Sequence, residues 1–380
     1  MRLPELPWRV ERRGGPLGRL GRVGPVGFGL VAGVLIVVVA LGEANAAFFE
    51  NLWLGTLGTP RGTENLMILA FPLILAGLAA SVPYRLGLWN IGGEGQILLG
   101  AWGAAGVAFL LPSVAPAGLV PLMLLGAIAV GAIWILVPAL ARVWFGLNEI
   151  ITTLLLNFVA ISWMLYWAAD KWREPLSPGG VKSERLPAAG ELGEFEAGTV
   201  TVPVAFVFAL LVALAIGLVV RHTRFGYELR MLGASERAAR YAGMPTRRLI
   251  VAAMLIGGAM AGLAGAAVLM GEVQRYGPAV SNNTGYTGIM VAVLAAGSEV
   301  GVVAVALVFA AITIAGNILR VEGGASSSLV FAMFGLALVL AAIGQGAARF
   351  RLVRRTREKS PPPAGAADEA PALEGRIRGS

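Results

Sequence analysis

The chain reads as an all-α polytopic membrane protein of about ten transmembrane helices, in two inverted repeats with interrupted helices. Three observations predict this. Hydrophobic residues make up 57% of the 380 positions and charged residues only 14%, with a mean hydropathy of +0.76, a balance that excludes ordinary soluble domains. Apolar runs recur from Val26 to Gln345, each near the roughly 20 residues that a 30 Å hydrocarbon core demands. Lipid offers backbone groups no hydrogen-bond partners, so such runs must be helical. Finally, the charge of +8 comes from arginines gathered at the ends of apolar runs, where they act as orientation signals rather than as a nucleic-acid surface.

Residues 1–25 form a basic cytoplasmic segment with Arg2, Arg9, Arg12, Arg13, Arg19 and Arg22, so the first run, Val26 to Leu41, starts inside. Ala44-Asn45-Ala46 also resembles a small-residue cleavage site, which leaves a removable signal peptide as the competing reading. Spans follow at Leu66 to Val82, Leu88 to Leu111, Gly118 to Ala141, Ile150 to Ala169 and Val200 to Val220. The connection at 170–199 holds four Lys or Arg against six Asp or Glu, with Pro175, Pro178 and Pro187, and reads as an irregular extracytoplasmic loop. Six crossings then return the chain to the cytoplasm at 221–248, where seven arginines stand. The count and the charges agree.

Leu249 to Met270 is the next span, and its pairs Gly258 with Gly262 and Ala261 with Gly265 allow close helix packing. Two clear runs remain, Val302 to Leu319 and Ser328 to Gln345, followed by Arg349, Arg351, Arg354, Arg355, Arg357 and Lys359. For those basic residues to lie inside, one more crossing is required. The only candidate, Gly285 to Ala296, reaches about 18 Å as a helix. It is too short to cross alone, which predicts a half-helix completed by irregular backbone packed in protein or facing a wet cavity. The transmembrane domain thus covers 26–347, both ends are cytoplasmic, and 348–380 is a basic, then disordered tail.

The third span opens with Leu88-Trp89-Asn90-Ile91-Gly92-Gly93-Glu94-Gly95-Gln96, and the short one with Asn283-Thr284-Gly285-Tyr286-Thr287-Gly288. Both contain N-x-G-x-x-G, at Asn90, Gly92 and Gly95 and at Asn283, Gly285 and Gly288. By the crossing count the first runs outward and the second inward, five spans apart. That is the expected arrangement of inverted repeats whose interrupted helices meet near the midplane around a substrate path; glycines that merely permit close packing are the competing account. An ionised carboxylate at bilayer depth costs about 2.5–3.5 kcal/mol, so Glu94 should face protein or water. Asn148, Glu149 and Asn157 add polar groups around the fifth span; Glu149 can snorkel, and Asn157 suits an interhelical hydrogen bond.

Several chemistries are excluded. The only lysines are Lys171, Lys182 and Lys359, and none follows a glycine, so no P-loop exists to bind ATP. The single histidine, His222, at a span end, leaves no metalloprotease motif. With no cysteine, neither a disulfide framework nor a thiolate metal site can form. No enzyme activity and no metal site are expected, and transport remains.

The stretch from Leu86 to Ala101, LGLWNIGGEGQILLGA, resembles the signature of permease subunits of bacterial ABC importers for nucleosides, within the branched-chain amino acid and simple sugar permease superfamily. Gly146 to Asn157 (GLNEIITTLLLN), Gly233 to Gly243 (GASERAARYAG) and Gly285 to Ile289 (GYTGI) extend the likeness over nearly all of Val26 to Gln345. The loop at 170–199 looks like that of the larger of two permease types that pair in guanosine and purine nucleoside importers. Gly93 departs from the pattern, where a small or branched apolar residue is common, as does Ala295 to Glu299, which lacks a polar, asparagine-containing turn.

The resemblance implies a bacterial plasma-membrane location, a second permease subunit, an ATP-binding subunit carrying ATP and Mg, and an extracytoplasmic substrate-binding lipoprotein. This chain itself carries no cofactor. The resemblance further makes Gly233 to Gly243 the segment that couples to the ATP-binding subunit. The residues agree: Ser235 suits an N-cap, Glu236 the first turn, Ala234, Ala238, Ala239 and Ala242 a small-residue surface, and Gly243 before Pro245 a helix end. A basic helix lying on anionic lipid is the competing reading. The expected path is lined by Asn90, Glu94, Gln96, Asn148, Asn157 and Asn283, with Gly92, Gly93, Gly95, Gly285 and Gly288 at the helix interruptions. The expected solute is a nucleoside. The alternatives are a simple sugar such as ribose carried by the same architecture, and an ion-coupled secondary transporter using Glu94 or Glu149.

Overall fold

The structure, a computed structural model, describes residues 46–175 and 180–322 without further interruption, together with 8–12, 350–354 and scattered positions between 32 and 39 and between 332 and 344. The expected first span, the span Ser328 to Gln345 and the tail lie mostly outside the described residues.

A short helix α1 (Ala46–Trp53) leads through a wider turn at Leu54–Gly58 into α2 (Pro60–Tyr84). Thr59 caps α2, its hydroxyl accepting from the Gly62 amide at 2.9 Å, and Pro60 occupies the first helical position, where its missing N–H costs nothing. Its 25 residues extend about 37 Å. The remaining long helices are α3 (Gly93–Leu110), α4 (Pro116–Phe145), α5 (Glu149–Tyr166), α6 (Val204–His222), α9 (Thr246–Val268) and α11 (Glu299–Glu322). Between α6 and α9 lie α7 (Arg224–Ala234) and α8 (Glu236–Tyr241), and between α9 and α11 lies the short α10 (Thr284–Leu294). Among the described residues, six helices are long and apolar enough to cross a membrane: α2, α4, α5, α6, α9 and α11, with α5 extended to Lys171 and α9 to Val273.

α2 is the central post. It packs against α6, α9, α10 and α11, while α4 closes over α3 and α9. The contact of α9 with α3 and α4 is made by glycines. A Cβ on Gly100 would overlap the Gly262 backbone, and one on Gly265 would overlap the Ile97 carbonyl. Small residues let these backbones touch, which is how helices associate where lipid removes the hydrophobic driving force.

Two expected boundaries shift. The third span begins as a helix at Gly93 rather than Leu88; Arg85–Gly92 is turn and extended backbone, entered through Gly87 at φ 72°. The sixth begins at Val204, because Val200–Pro203 (β3) pairs antiparallel with Glu194–Ala197 (β2) in a hairpin turned at Gly198. Trp8–Arg12 (β1) and Phe350–Arg354 (β4) also pair antiparallel. Trp102, Trp163, Trp167 and Trp172, from α3, the end of α5, its extension and the residue after it, form a cluster of ring contacts.

Candidate functional site

α3 and α10 both begin where a long helix has just been interrupted. α2 ends at Tyr84, irregular backbone follows to Gly92, and α3 starts at Gly93. α9 and its extension end at Val273, irregular backbone follows to Asn283, and α10 starts at Thr284. The second entry is shaped by Asn282 and Asn283, at φ 43° and 64°, a left-handed conformation that asparagine tolerates and most residues do not. With 11 residues, α10 reaches about 16 Å and cannot cross alone.

The two starts touch. A Cβ on Gly93 would lie 3.5 Å from the Gly285 Cα, and one on Gly285 would overlap the Glu94 amide nitrogen. Only glycine permits this approach at position 285, where the atoms met are backbone, whereas a Cβ at position 93 would make an ordinary contact. The Glu94 carboxylate completes the join: it accepts from the backbone N–H of Asn283 at 3.1 Å and of Gly285 at 2.9 Å. One acid therefore stands in the first turn of α3 and at the N-terminus of α10. Both helix dipoles favour negative charge there, and the amides of the N-cap Asn283 and of Gly285 in the first turn of α10, which lack helical partners, are satisfied.

Irregular backbone at membrane depth requires its hydrogen bonds to be met by protein, and α5 meets them. Thr153 and Asn157 are one helical turn apart and share its buried face. Thr153 Oγ1 accepts from the Ile91 N–H at 3.2 Å, and Asn157 Nδ2 donates to the Ile91 carbonyl at 2.9 Å. Asn157 also accepts from the Gly95 amide at 3.0 Å and donates to the Tyr286 hydroxyl at 3.2 Å. Asn90 and Gln96 hold each other by two reciprocal amide bonds of 2.9 Å, and the Asn90 oxygen accepts from Gly92 at 3.1 Å. Asn157 thus joins α5, α3 and α10 at a single point.

Of the candidate path residues, Asn90, Glu94, Gln96 and Asn157 are buried at this junction with the bonds just given, and Asn283 is exposed beside them. Asn148 stands apart. It is exposed at the N-cap of α5, accepting from Ile150 at 2.9 Å, nine residues or about 13 Å along the helix from Asn157. Glu149 is buried and pairs with Arg142 at 3.3 Å, instead of reaching toward the interface. Of the interruption glycines, Gly92 meets Gln96 and Thr153, Gly95 meets Asn157 and Ala160, and Gly288 meets Ala76.

The arginine-rich loop folds as α7 and α8. The Ser235 hydroxyl accepts from the Ala238 N–H at 3.3 Å as N-cap of α8, and Gly243 follows its end at φ 72°. Ala234, Ser235, Glu236, Ala238 and Ala242 are exposed, whereas Ala239 is buried against Leu232 and Leu249 and fastens α8 to the body. Sequence reasoning missed Tyr241, which is 97% exposed on this surface. It also missed Arg85, which pairs with Glu299 and donates to the Gly297 carbonyl, and Thr153, whose one-turn spacing from Asn157 was the available signal.

The family model described as branched-chain amino acid transport system / permease component covers residues 62–342. The glucose ABC transporter permease protein TsgB13 of Haloferax volcanii is 34% identical over 334 residues, 85% of this chain and 86% of that protein. The guanosine ABC transporter permease protein NupP of Bacillus subtilis is 32% identical over 310 residues, 80% of this chain and 86% of its own length. The nucleoside ABC transporter permease protein NupB of Lactococcus lactis is 26% identical, over 74% and 79%. With two interrupted helices meeting inside a multi-pass bundle, and a family match over residues 62–342, the chain belongs to the branched-chain amino acid transport system permease family.

Proposed function

We propose that this chain is the membrane-spanning subunit of an ATP-driven importer and forms the path of a nucleoside across a bacterial plasma membrane. The meeting of α3 and α10 at Glu94 carries the reading. It places a polar, partly irregular segment inside an apolar bundle, and ionisable groups retained in such a place commonly mark a substrate or ion path. The guanosine and nucleoside permeases among the relatives support the substrate class. The path passes the junction along Asn90, Glu94, Gln96, Asn157 and Asn283, with Asn148 at its cytoplasmic approach.

The successions α2, irregular segment, α3 and α9, irregular segment, α10 support two inverted repeats, and ten crossings in all. The arginines of 221–248 favour a cytoplasmic α7 and α8. The pairing of β1 with β4 favours both termini on one side. ATP and Mg belong to a partner subunit that grips Gly233, Ala234, Ser235, Glu236, Ala238, Ala242 and Gly243, with Tyr241 projecting into the contact and Ala239 holding α8 in place. A second permease, giving a heterodimer, and a substrate-binding lipoprotein complete the assembly.

The glucose permease relative favours a second reading, the same machine carrying a simple sugar. The test is uptake of radiolabelled guanosine and glucose by cells expressing the chain with its partner subunits. Guanosine uptake that disappears without the ATP-binding subunit is expected. Uptake of glucose alone would move the assignment to the second reading. Solute uptake driven by an ion gradient, with no ATP-binding subunit present, would overturn the importer altogether.

A further inference from the structure

Arg85 and Glu94 are nine positions apart in sequence, and they hold opposite ends of one helix. Glu94 accepts from the first amides of α10. Arg85 donates to the carbonyl of Gly297, in the turn that ends α10, and pairs with the carboxylate of Glu299, the first residue of α11. Each end carries the sign that the helix dipole favours, acid at the start and base at the finish. The Arg85 and Glu299 side chains are 17% and 7% exposed. The segment 85–94 is therefore a bracket around α10, closed by a shielded ion pair at one end and by a carboxylate at the other.

The same arginine is where the arginine-rich loop meets the membrane bundle. A Cβ on Gly233 would overlap the Arg85 carbonyl oxygen, so the last turn of α7 rests directly on the Arg85 backbone. Ser235, the cap of α8, is two residues further on. The other end of α7 is fixed to α6: Gly226 lies against the Val220 carbonyl, and Arg230 Nη1 donates to that oxygen at 2.5 Å. α7 can thus carry load from α8 to Arg85 without an intervening flexible side chain. α10, held at both ends, carries it about 16 Å further to Glu94.

We infer that the Arg85–Glu299 pair is a positioning clasp, through which movement of the Gly233–Gly243 segment reaches α10 and the junction at Glu94. The inference rests on the importer reading. Neither residue touches the solute. The clasp makes the inner end of α10 and the start of α11 follow Arg85 when α8 is displaced; without it, Arg85 moves and α10 stays behind.

The experiment uses the complete transporter in proteoliposomes: this chain, the second permease, the ATP-binding subunit and the substrate-binding protein. Insertion, copurification of the ATP-binding subunit, ATPase rate and nucleoside imported per ATP hydrolysed are measured together. Glu299→Gln should leave insertion, copurification and ATPase near wild type, while nucleoside imported per ATP falls about tenfold, within the usual range of coupling between sites. The exchanged pair, Arg85→Glu with Glu299→Arg, restores the ion pair but not the donor to the Gly297 carbonyl, and should bring the ratio above that of Arg85→Glu alone. A wild-type ratio in Glu299→Gln overturns the clasp. So does a parallel loss of ATPase and uptake that the exchange does not repair, since that is the mark of a purely structural pair. If Glu299→Gln does not accumulate, the exchanged pair is compared with Arg85→Glu alone: a higher ratio of nucleoside imported per ATP in the exchanged pair supports the clasp, and equal ratios overturn it. Absence of ATP-dependent uptake in the wild type would instead sink the importer reading, before any variant is compared.

Discussion

Glu94→Ala isolates the join between α3 and α10. The substitution removes the acceptor of two backbone amides, Asn283 at 3.1 Å and Gly285 at 2.9 Å. Hydrogen bonds to a charged group contribute about 1.5–3 kcal/mol each in soluble proteins, but interhelical bonds within membranes average about 0.6 kcal/mol in double-mutant cycles and reach about 1–2 kcal/mol in model peptides. Two such bonds give about 1–4 kcal/mol. The Gly285 amide is buried and gains no replacement partner from alanine. Glu94→Gln retains one acceptor oxygen and should lose about half as much, because its amide nitrogen must face the second donor. The assay is denaturant unfolding of the purified complex in detergent, followed by tryptophan fluorescence, alongside uptake. The order wild type, Gln, Ala is expected in both, with the ATP-binding subunit still copurifying. Unfolding curves that coincide for wild type and Glu94→Ala would refute the bonded join, and loss of the ATP-binding subunit would show that Glu94 supports assembly rather than the path.

Gly233→Arg should abolish uptake with insertion unchanged. The overlap with the Arg85 carbonyl means that even Gly233→Ala must displace α7, so it too should lower uptake, and normal transport by Gly233→Arg would remove the coupling role. Asn157→Ala leaves the Ile91 carbonyl and Gly95 amide without side-chain partners and should cost about 1–3 kcal/mol, read by the same unfolding assay; Asn157→Leu should cost at least as much. In the loop at 170–199, Glu174 is held below the usual carboxylate range by its hydrogen bond to Arg275, 2.7 Å away, with Lys182 at 3.6 Å assisting. A depressed carboxylate stabilises the folded loop fully above its unfolded value of 4.5 and loses that contribution as pH falls through its lower folded value. Limited proteolysis at 170–199 should therefore quicken on acidification below about pH 4.5, and Glu174→Gln should show little further change with pH.

Crossing parity pointed to a short helix at Gly285 to Ala296, because orientation charges are a sum rule: basic residues after Gln345 are expected inside only if that segment returns the chain. The structure places α10 at Thr284–Leu294. The repeated N-x-G-x-x-G marked the meeting point because glycine is needed where backbone faces backbone. The start of α3 was misplaced at Leu88 because an apolar extended segment and an apolar helix look alike over five residues; Gly87 and three further glycines were the better guide. β3 was read as helix although Val200-Thr201-Val202 before Pro203 has strand character and a proline well suited to precede a helix. The Arg85–Glu299 pair was illegible for a different reason. Its members are 214 positions apart, and each alone looks like a boundary charge. Only the three-dimensional return of α10 to the end of α2 shows that they meet.

The crossing of Gly93 and Gly285 has a genetic consequence. At most tight contacts a bulky substitution can be forgiven by trimming the side chain opposite. Here the atoms opposite Gly285 are the Glu94 nitrogen and Cα and the Gly93 carbonyl carbon, which every amino acid possesses. No second change at position 93 or 94 can make room, so selection for revertants of Gly285→Ala should return the original glycine or mutations elsewhere that shift a whole helix.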